Sequence, residues 1–430
     1  MKRHAFVAAT LFVLHCAVLW GATVLRCPDA SRPLAERWKW ALTEAARQVP
    51  GPTYWIAWSI DRQMPENEII GSFYTEGAPR TTLKAILYGE TEPPLSVQEE
   101  AKKALMKATT GNRQAKIVAR ELVILIQVSA AGELKASEVC LANLSFQTRG
   151  YPIAWLGKAG QQESLTLVTG LYGQGKTDRF KQELIAAVAF HTIPDRVIPF
   201  LQNVFARESS DELRGQAAFW LANQDDPASM KILLEQLSKE RSREVIDQAM
   251  AGIQSTESAA AVDIFAKLAA HGNPRILREQ AIFWLGQTES ERAASLLKNV
   301  IAGDPDTDIR KKAVFSLSQM PEEMSLAPMI ELVRGNAPEA VRKEAVFWLS
   351  QIASRKAADV LKDTAENDPS FDIQKQALFA LSELEDHAGV EELIRIARTH
   401  PNRAIRKEAI FWLGECDDPR AREALLKMLE

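Results

Sequence analysis

Between Arg214 and Leu413 one eight-residue phrase returns at a constant step of 32 residues: RGQAAFWL, IDQAMAGI, REQAIFWL, RKKAVFSL, RKEAVFWL, QKQALFAL and RKEAIFWL. A period of about 20 to 50 residues marks a solenoid, because a unit that short cannot bury its own apolar face and neighbours must stack to do so. The expected fold over residues 178–430 is therefore mainly α, an α-α superhelix. Each phrase forms one helix, and a second apolar helix follows it, as in MKILLEQL from Met230 or VEELIRIA from Val390. Turns such as Asp304-Pro305-Asp306 and His400-Pro401-Asn402 separate the units; proline stops one helix, and aspartate or asparagine starts the next.

A helical wheel assigns the positions of the phrase. Ala281, Ile282 and Leu285 share one stripe with Arg278 and should pack on the partner helix, and the small residue recurs as Ala217, Ala249, Ala281, Ala313, Ala345, Ala377 and Ala409. Tryptophan stands at 220, 284, 348 and 412, alternating with Gly252, Ser316 and Ala380, so at this position the period is 64. An indole beside a small side chain is what volume matching between neighbours produces. Phe283 lies about 140° from Arg278 at 100° per residue, off the partner-facing stripe. Its row, Phe219, Phe283, Phe315, Phe347, Phe379 and Phe411, is the candidate protein-binding site. Six such rings would exceed the apolar patch a soluble monomer usually exposes. Two readings stay open: a ring ladder belonging to the core, or a groove covered by a partner protein, a second copy of this chain or its own α+β region.

The phrase contains the core Val/Ile-Arg-x-x-Ala-x-x-x-Leu, as at Ile309-Arg310, Val341-Arg342 and Ile405-Arg406. In this the stretch from about 178 to 430 resembles the HEAT repeat family, in particular its short bacterial form, the HEAT-like repeats of phycobilisome lyases. The resemblance implies a protein-interaction surface with the arginine-bearing helix on the concave side. It also implies an acidic residue six positions ahead of each arginine as its partner, which Asp304 with Arg310 and Glu208 with Arg214 fit; Asp368 instead faces Gln374, and position 336 is Asn. Lyase chemistry is not implied, since nothing identifies a chromophore site.

Residues 31–177 read as a small α+β region with an antiparallel sheet. Pro33 to Gln48 is a helix with Leu34, Trp38, Leu42 and Ala45 on one face, and Val97 to Ala108 is another. The strand-like runs start at Thr53, Glu68, Ala119, Ser137 and Tyr151. Tyr54, Trp55 and Trp58 are either core or the lining of a ligand pocket. Gly170 to Thr177, GLYGQGKT, fits the phosphate-loop pattern. The helical repeats beyond it supply no parallel sheet with a metal-holding carboxylate, so it is expected to be a glycine-rich linker after a strand.

Residues 1–30 read as an export signal or a membrane anchor. Lys2 and Arg3 precede Ala5 to Leu25, which carries no formal charge. Cleavage near Gly21-Ala22-Thr23 and retention of residues 5–25 as a membrane helix both stay open, and both place the protein outside the cytoplasm. A net charge of -4 from 52 basic and 56 acidic residues excludes a strongly basic nucleic-acid surface. His191, His271, His387 and His400 have no metal-ligand spacing, and Cys27, Cys140 and Cys416 make no disulfide framework. No catalytic set, cofactor or metal is expected. The expected function is an extracytoplasmic protein-binding adaptor or scaffold, with a ligand-binding envelope sensor as the alternative. The last unit ends without a closing helix, which makes its flank a second candidate contact surface.

Overall fold

The computed structural model describes residues 23–429 apart from 50, 67, 72–80, 90–115, 145, 225, 257, 353 and 385–386. The assigned helix at Val97 to Ala108 and the first 22 residues lie outside them. The chain forms two compact units, Met1–Pro199 and Phe200–Glu430.

The first unit is built on a five-stranded sheet: β1 (Val24–Arg26), β2 (Thr53–Pro65), β3 (Ile117–Ser129), β4 (Leu134–Leu141) and β5 (Ile153–Lys158), in the order β1-β5-β2-β3-β4. The runs β2 and β3 pair antiparallel over their whole length, from Thr53 opposite Ser129 to Pro65 opposite Ile117, and β4 continues the antiparallel pattern. The sheet is nevertheless mixed rather than antiparallel, because β5 lies parallel to both β1 and β2. The turn signal at Thr148-Arg149-Gly150 marks a change of direction but not a partner. The chain there passes from the β4 edge to the far side of β2, and such a crossover gives a parallel pair. The strand β1 lies inside the segment assigned to the leader, so the folded unit already includes Val24. Glu68 to Gly71, the described start of another expected strand, is not in a strand.

Helix α1 (Leu34–Trp40) runs into a π-helical stretch, Ala41–Ala45. The wider turn shifts the apolar face, so Leu34, Trp38, Ala41 and Ala45 are buried and Leu42 is only partly covered. A short helix, α2 (Leu83–Tyr88), is capped by Thr82, whose hydroxyl accepts from the Ala85 amide. The helix α3 (Gln161–Gln174) overturns the linker expected at GLYGQGKT. Leu165, Val168, Leu171 and Tyr172 recur at helical spacing and are buried, while Gly170 and Gly173 face open space where the absence of a side chain costs no packing. The next helix, α4 (Asp178–Ala189), expected to open the solenoid, packs on the sheet instead, and Glu183 accepts the Ser137 amide of β4 at 2.6 Å. Amphipathic spacing identifies a buried face without saying what covers it.

Helix α5 (Pro194–Arg207) carries the boundary between the units. The phrase helices of the second unit are α6 (Asp211–Ala222), α8 (Arg243–Gln254), α10 (Arg275–Gly286), α12 (Thr307–Ser318), α14 (Glu339–Ser350), α16 (Phe371–Ser382) and α18 (Arg403–Glu415). Between and after them run α7 (Pro227–Leu237), α9 (Ser258–Ala269), α11 (Glu291–Gly303), α13 (Glu322–Arg334), α15 (Arg355–Asn367), α17 (Val390–Thr399) and α19 (Pro419–Leu429). Side-chain caps start several: Ser210 accepts from Leu213, Asp306 from Asp308 and Ile309, and Ser370 from Ile373. Proline with φ near -50° precedes α10, α13 and α14, where its missing N–H costs nothing. All seven recurrent alanines from Ala217 to Ala409 are fully buried, with Leu213, Leu277, Val341 and Ile405 one turn before them and Leu221, Leu285, Leu349 and Leu413 one turn after.

Candidate functional site

The phenylalanine row is neither a sealed core nor bare. Phe219, Phe283, Phe315, Phe347 and Phe379 are half-buried and Phe411 is 54% exposed. The rings touch one another along the array. Phe315 meets Trp348 with centroids 4.9 Å apart, Phe347 stacks on Phe379 at 6.3 Å with planes 4° apart, and Phe379 meets Trp412 at 4.9 Å. Within each phrase the neighbouring Phe and Trp meet edge to face, as in Phe347–Trp348 at 4.9 Å and Phe411–Trp412 at 5.0 Å. Six rings thus form one continuous ladder from Phe315 to Phe411. Such contacts add to burial because the positive edge of one ring meets the negative face of the next. One step earlier, the Lys312 ammonium lies 5.7 Å from the Phe283 ring and 5.0 Å from the Phe315 ring, a cation joining two aromatic faces.

The alternation of tryptophan with a small residue has a physical basis in this ladder. Three of the four tryptophans reach back over a preceding aromatic: Trp348 over Phe315, Trp412 over Phe379 and Trp284 over Phe265. The small residues sit where phrase helices approach backbone to backbone. A Cβ on Gly252 would lie 2.6 Å from the Phe219 carbonyl oxygen and 2.9 Å from its Cα.

The arginines hold the units in place, though not by the expected pairing. Three of them clamp a carboxylate 26 residues ahead, in the turn of the next unit, rather than one six behind. Arg214 pairs with Glu240 at 2.7 Å, Arg278 with Asp304 and Arg342 with Asp368. Arg310 reaches only the backbone carbonyl of Asp304, and the Asp304 carboxylate is taken by Arg278. The reason is geometric: an arginine in the first turn of a phrase helix lies beside the end of the preceding helix and the start of the next unit. Arg278 and Arg342 also donate to the late carbonyls Ala269 O and Val333 O. The carboxylates in turn hold the following turn, Glu240 accepting the Ser242 amide at 2.8 Å, Asp304 that of Asp306 at 2.9 Å and Asp368 that of Ser370 at 2.9 Å. One guanidinium therefore closes a helix C-terminus and clamps the next turn.

The aromatics proposed as a pocket lining in the first unit are core. Tyr54 and Trp58 are fully buried and Trp55 nearly so. The Tyr54 hydroxyl donates to Ala41 O at 3.0 Å, and the Trp58 indole donates to Ser164 Oγ at 2.8 Å. Ser164 Oγ in turn lies 2.8 Å from His191 Nε2, and His191 Nδ1 lies 2.9 Å from Ala187 O. A carbonyl only accepts, so Nδ1 carries the hydrogen, and Ser164 donates to Nε2 while accepting from Trp58. Burial pushes the imidazole pKa down to about 4, so it is neutral at physiological pH. The pair looks like a nucleophile and its base, but both side chains are enclosed and the hydroxyl proton is already placed. His400 is buried against Glu366 O, and His387 faces the Cys416 thiol at 3.4 Å. Burial is the first cause that raises this thiol above its ordinary value. Among the described residues no three His, Cys, Asp or Glu side chains form a metal-sized group, and Cys27, Cys140 and Cys416 are free thiols.

The family model for HEAT repeats matches residues 198–286, 273–349, 293–382 and 326–401, and that for the PBS lyase HEAT-like repeat matches 405–430. No curated protein sequence matches the chain. Among solved structures the chain is similar to the karyopherin Kap121p bound to the extreme C-terminus of the protein phosphatase Cdc14p, at 12% identity and a TM-score of 0.37, covering 58% of this chain and 33% of that one. It is similar to human deoxyhypusine hydroxylase at 15% identity and TM-score 0.25, covering 59% and 96%. It is also similar to the CpcE–CpcF complex of phycocyanin lyase from Nostoc, at 20% identity and TM-score 0.26, covering 51% and 81%. The chain thus spans about a third of the karyopherin. With seven phrase helices in register and both repeat models placed on them, the chain belongs to the HEAT repeat family.

Proposed function

We propose that the protein is a scaffold that binds another protein along its HEAT array, outside the cytoplasm and without a catalytic step of its own. The observation that supports this reading is the aromatic ladder from Phe315 to Phe411, whose rings stack in a row yet stay partly open to water. A continuous row of half-exposed rings is apolar surface of the kind that marks a contact site. Within this stretch the Arg342–Asp368 clamp ties α14 to the turn before α16, which favours binding because less order has to be gained on contact. The extracytoplasmic setting rests on Lys2, Arg3 and the uncharged run Ala5 to Leu25. Among the described residues no helix is long and apolar enough to cross a membrane. The alternative, a sensor with a ligand pocket in the first unit, loses its suggested lining because Tyr54, Trp55 and Trp58 are buried.

A photo-crosslinking residue placed at 347 tests the binding surface, with position 356 on the next helix as control. The expected result is a discrete protein adduct from 347, absent from 356 and lost when Phe379→Glu is added. Equal adducts from both positions, or none from 347 in the native compartment, would remove the ladder as the contact surface. Activity of a phosphatase fused after residue 30 only when exported is the expected result for the setting.

A further inference from the structure

The clamps of Arg214, Arg278 and Arg342 follow one rule, arginine in a phrase helix and carboxylate 26 residues ahead, and the unit of Arg310 breaks it on the carboxylate side alone. Arg310 keeps the arginine, but the residue 26 ahead is Asn336. Asp304 at this position is buried and Asp368 is half-buried with its carboxylate turned inward onto Arg342, whereas Asn336 is exposed. Beyond the Nε hydrogen bond to Asp304 O, the guanidinium of Arg310 has no hydrogen bond or ion pair among the described residues. Its two terminal nitrogens therefore offer the fork that a carboxylate takes in the sister units.

Two cavities 32 residues apart provide an internal comparison. One is lined by Ala269, Leu296, Val300, Gly303 and Asp304, measures about 250 Å³, and does not include Arg278, whose guanidinium is committed to Asp304. The other is lined by the matching residues Ile301, Pro328, Leu332, Gly335 and Asn336, measures about 530 Å³, and has Arg310 in its wall. Loss of the carboxylate thus coincides with a larger cavity that has in its wall an arginine whose terminal nitrogens are uncommitted. Lys298 and Glu331 in the same wall pair with each other at 2.9 Å and cancel in charge, so Arg310 sets the net sign. The rest of the lining is largely apolar.

We propose that this cavity binds a monocarboxylate bearing a short apolar chain, its carboxylate taking the fork of Arg310 and its chain lying against Ile301, Leu332 and Pro328. Free acids and the C-terminal carboxylate of a peptide ending in leucine share this chemistry. The test is a titration of the full chain with isovalerate, followed by the methyl signals of Ile301 and Leu332. Saturable movement of these signals is expected, with the Leu296 and Val300 methyls of the sister cavity unmoved. Isovaleramide, the same shape without the charge, is expected to leave them in place. Asn336→Asp supplies the internal carboxylate and is expected to weaken isovalerate binding at least tenfold; Arg310→Gln should do the same. A leucine-terminated peptide that binds more tightly than isovalerate, and loses this as its amide, identifies a peptide terminus; equal affinity identifies a free acid. Binding unchanged in Asn336→Asp, equal movement in both cavities, or no saturable movement would overturn the proposal.

Discussion

Replacing Asp304 by asparagine isolates what one clamp contributes, because it removes a charge with almost no change of volume. Arg278 and Asp304 have side chains only 7% and 6% exposed, and each has few other partners: Arg278 keeps Ala269 O, and Asp304 holds the Asp306 amide. Asparagine can still accept from Asp306, so the loss falls on Arg278, left as a buried cation without its counter-ion. Breaking a buried pair from one side costs about 3 to 5 kcal/mol, and the surviving amide contact puts the expectation near about 3 kcal/mol. Asp308→Asn is the control. It makes the same change of charge four residues away, but its partner Arg275 is 55% exposed and Asp308 itself 66% exposed, so water replaces the contact and no resolvable change is expected. Repeat arrays can unfold in stages, so the readout is hydrogen exchange of α10 to α12 beside the urea transition of the array. Amides of α10 to α12 should exchange faster in Asp304→Asn and unchanged in Asp308→Asn. A double variant, Arg278→Met with Asp304→Asn, should be less destabilised than the single one, since no buried charge is left over. Equal behaviour of Asp304→Asn and Asp308→Asn would falsify the view that these clamps hold the units together.

Three further perturbations address other parts of the molecule. Phe347→Ala removes a half-buried ring stacked on Phe379, and the cost should be about 2 kcal/mol, between the value for a sealed core ring and that for a free surface ring; urea unfolding measures it, and a change below about 0.5 kcal/mol would place the ring outside the ladder. Gly252→Ala should destabilise the array although alanine favours a helix by about 1 kcal/mol, because its Cβ would meet the Phe219 backbone at 2.6 Å and separate two phrase helices; a thermal shift upward would contradict this. For His191 the folded value of about 4 lies below the ordinary 6.5, so the unfolded chain binds the proton first. Stability of the first unit should therefore fall as pH drops from about 6.5 to about 4, by about 3 kcal/mol in all, and His191→Gln should abolish that slope in a pH series of urea melts.

Much of the second unit is legible in the sequence because the period is a physical constraint: a residue that must pack in one unit must pack in all of them. That holds for the buried alanines from Ala217 to Ala409 and for the leucines one turn on. The first unit has no second copy to compare, and there local signals name elements without naming neighbours. Leu165, Val168 and Leu171 recur at helical spacing and identify a buried face, but they do not say what covers it. The turn at Thr148 to Gly150 likewise does not say that β5 will lie parallel beside β2. The clamps were present in the sequence as Arg214, Arg278 and Arg342 with Glu240, Asp304 and Asp368, yet a search within one unit, six residues back, cannot find a contact made 26 residues forward into the next.

The same 64-residue step governs the tryptophans and the clamps, which makes a pair of units the true building block. Helices α6, α10 and α14 carry both devices: an arginine that clamps the unit ahead and, six residues on, a tryptophan. In α10 and α14 that tryptophan reaches back over an aromatic of an earlier helix. Helices α8, α12 and α16 carry neither; the small residues Gly252, Ser316 and Ala380 stand in place of tryptophan, and the positions matching the clamp are Ile246 with Gly272, Arg310 with Asn336 and Gln374 with His400. Since a repeat array is stabilised mainly by contacts between neighbours, its joints alternate between clamped and unclamped. Apolar packing continues through both kinds, so an unclamped joint can lose its ion pair without losing the fold. At Ile246 and Gln374 the cation has gone along with the carboxylate; at Arg310 it has stayed, and a charge kept without its internal partner leaves a guanidinium available to something else.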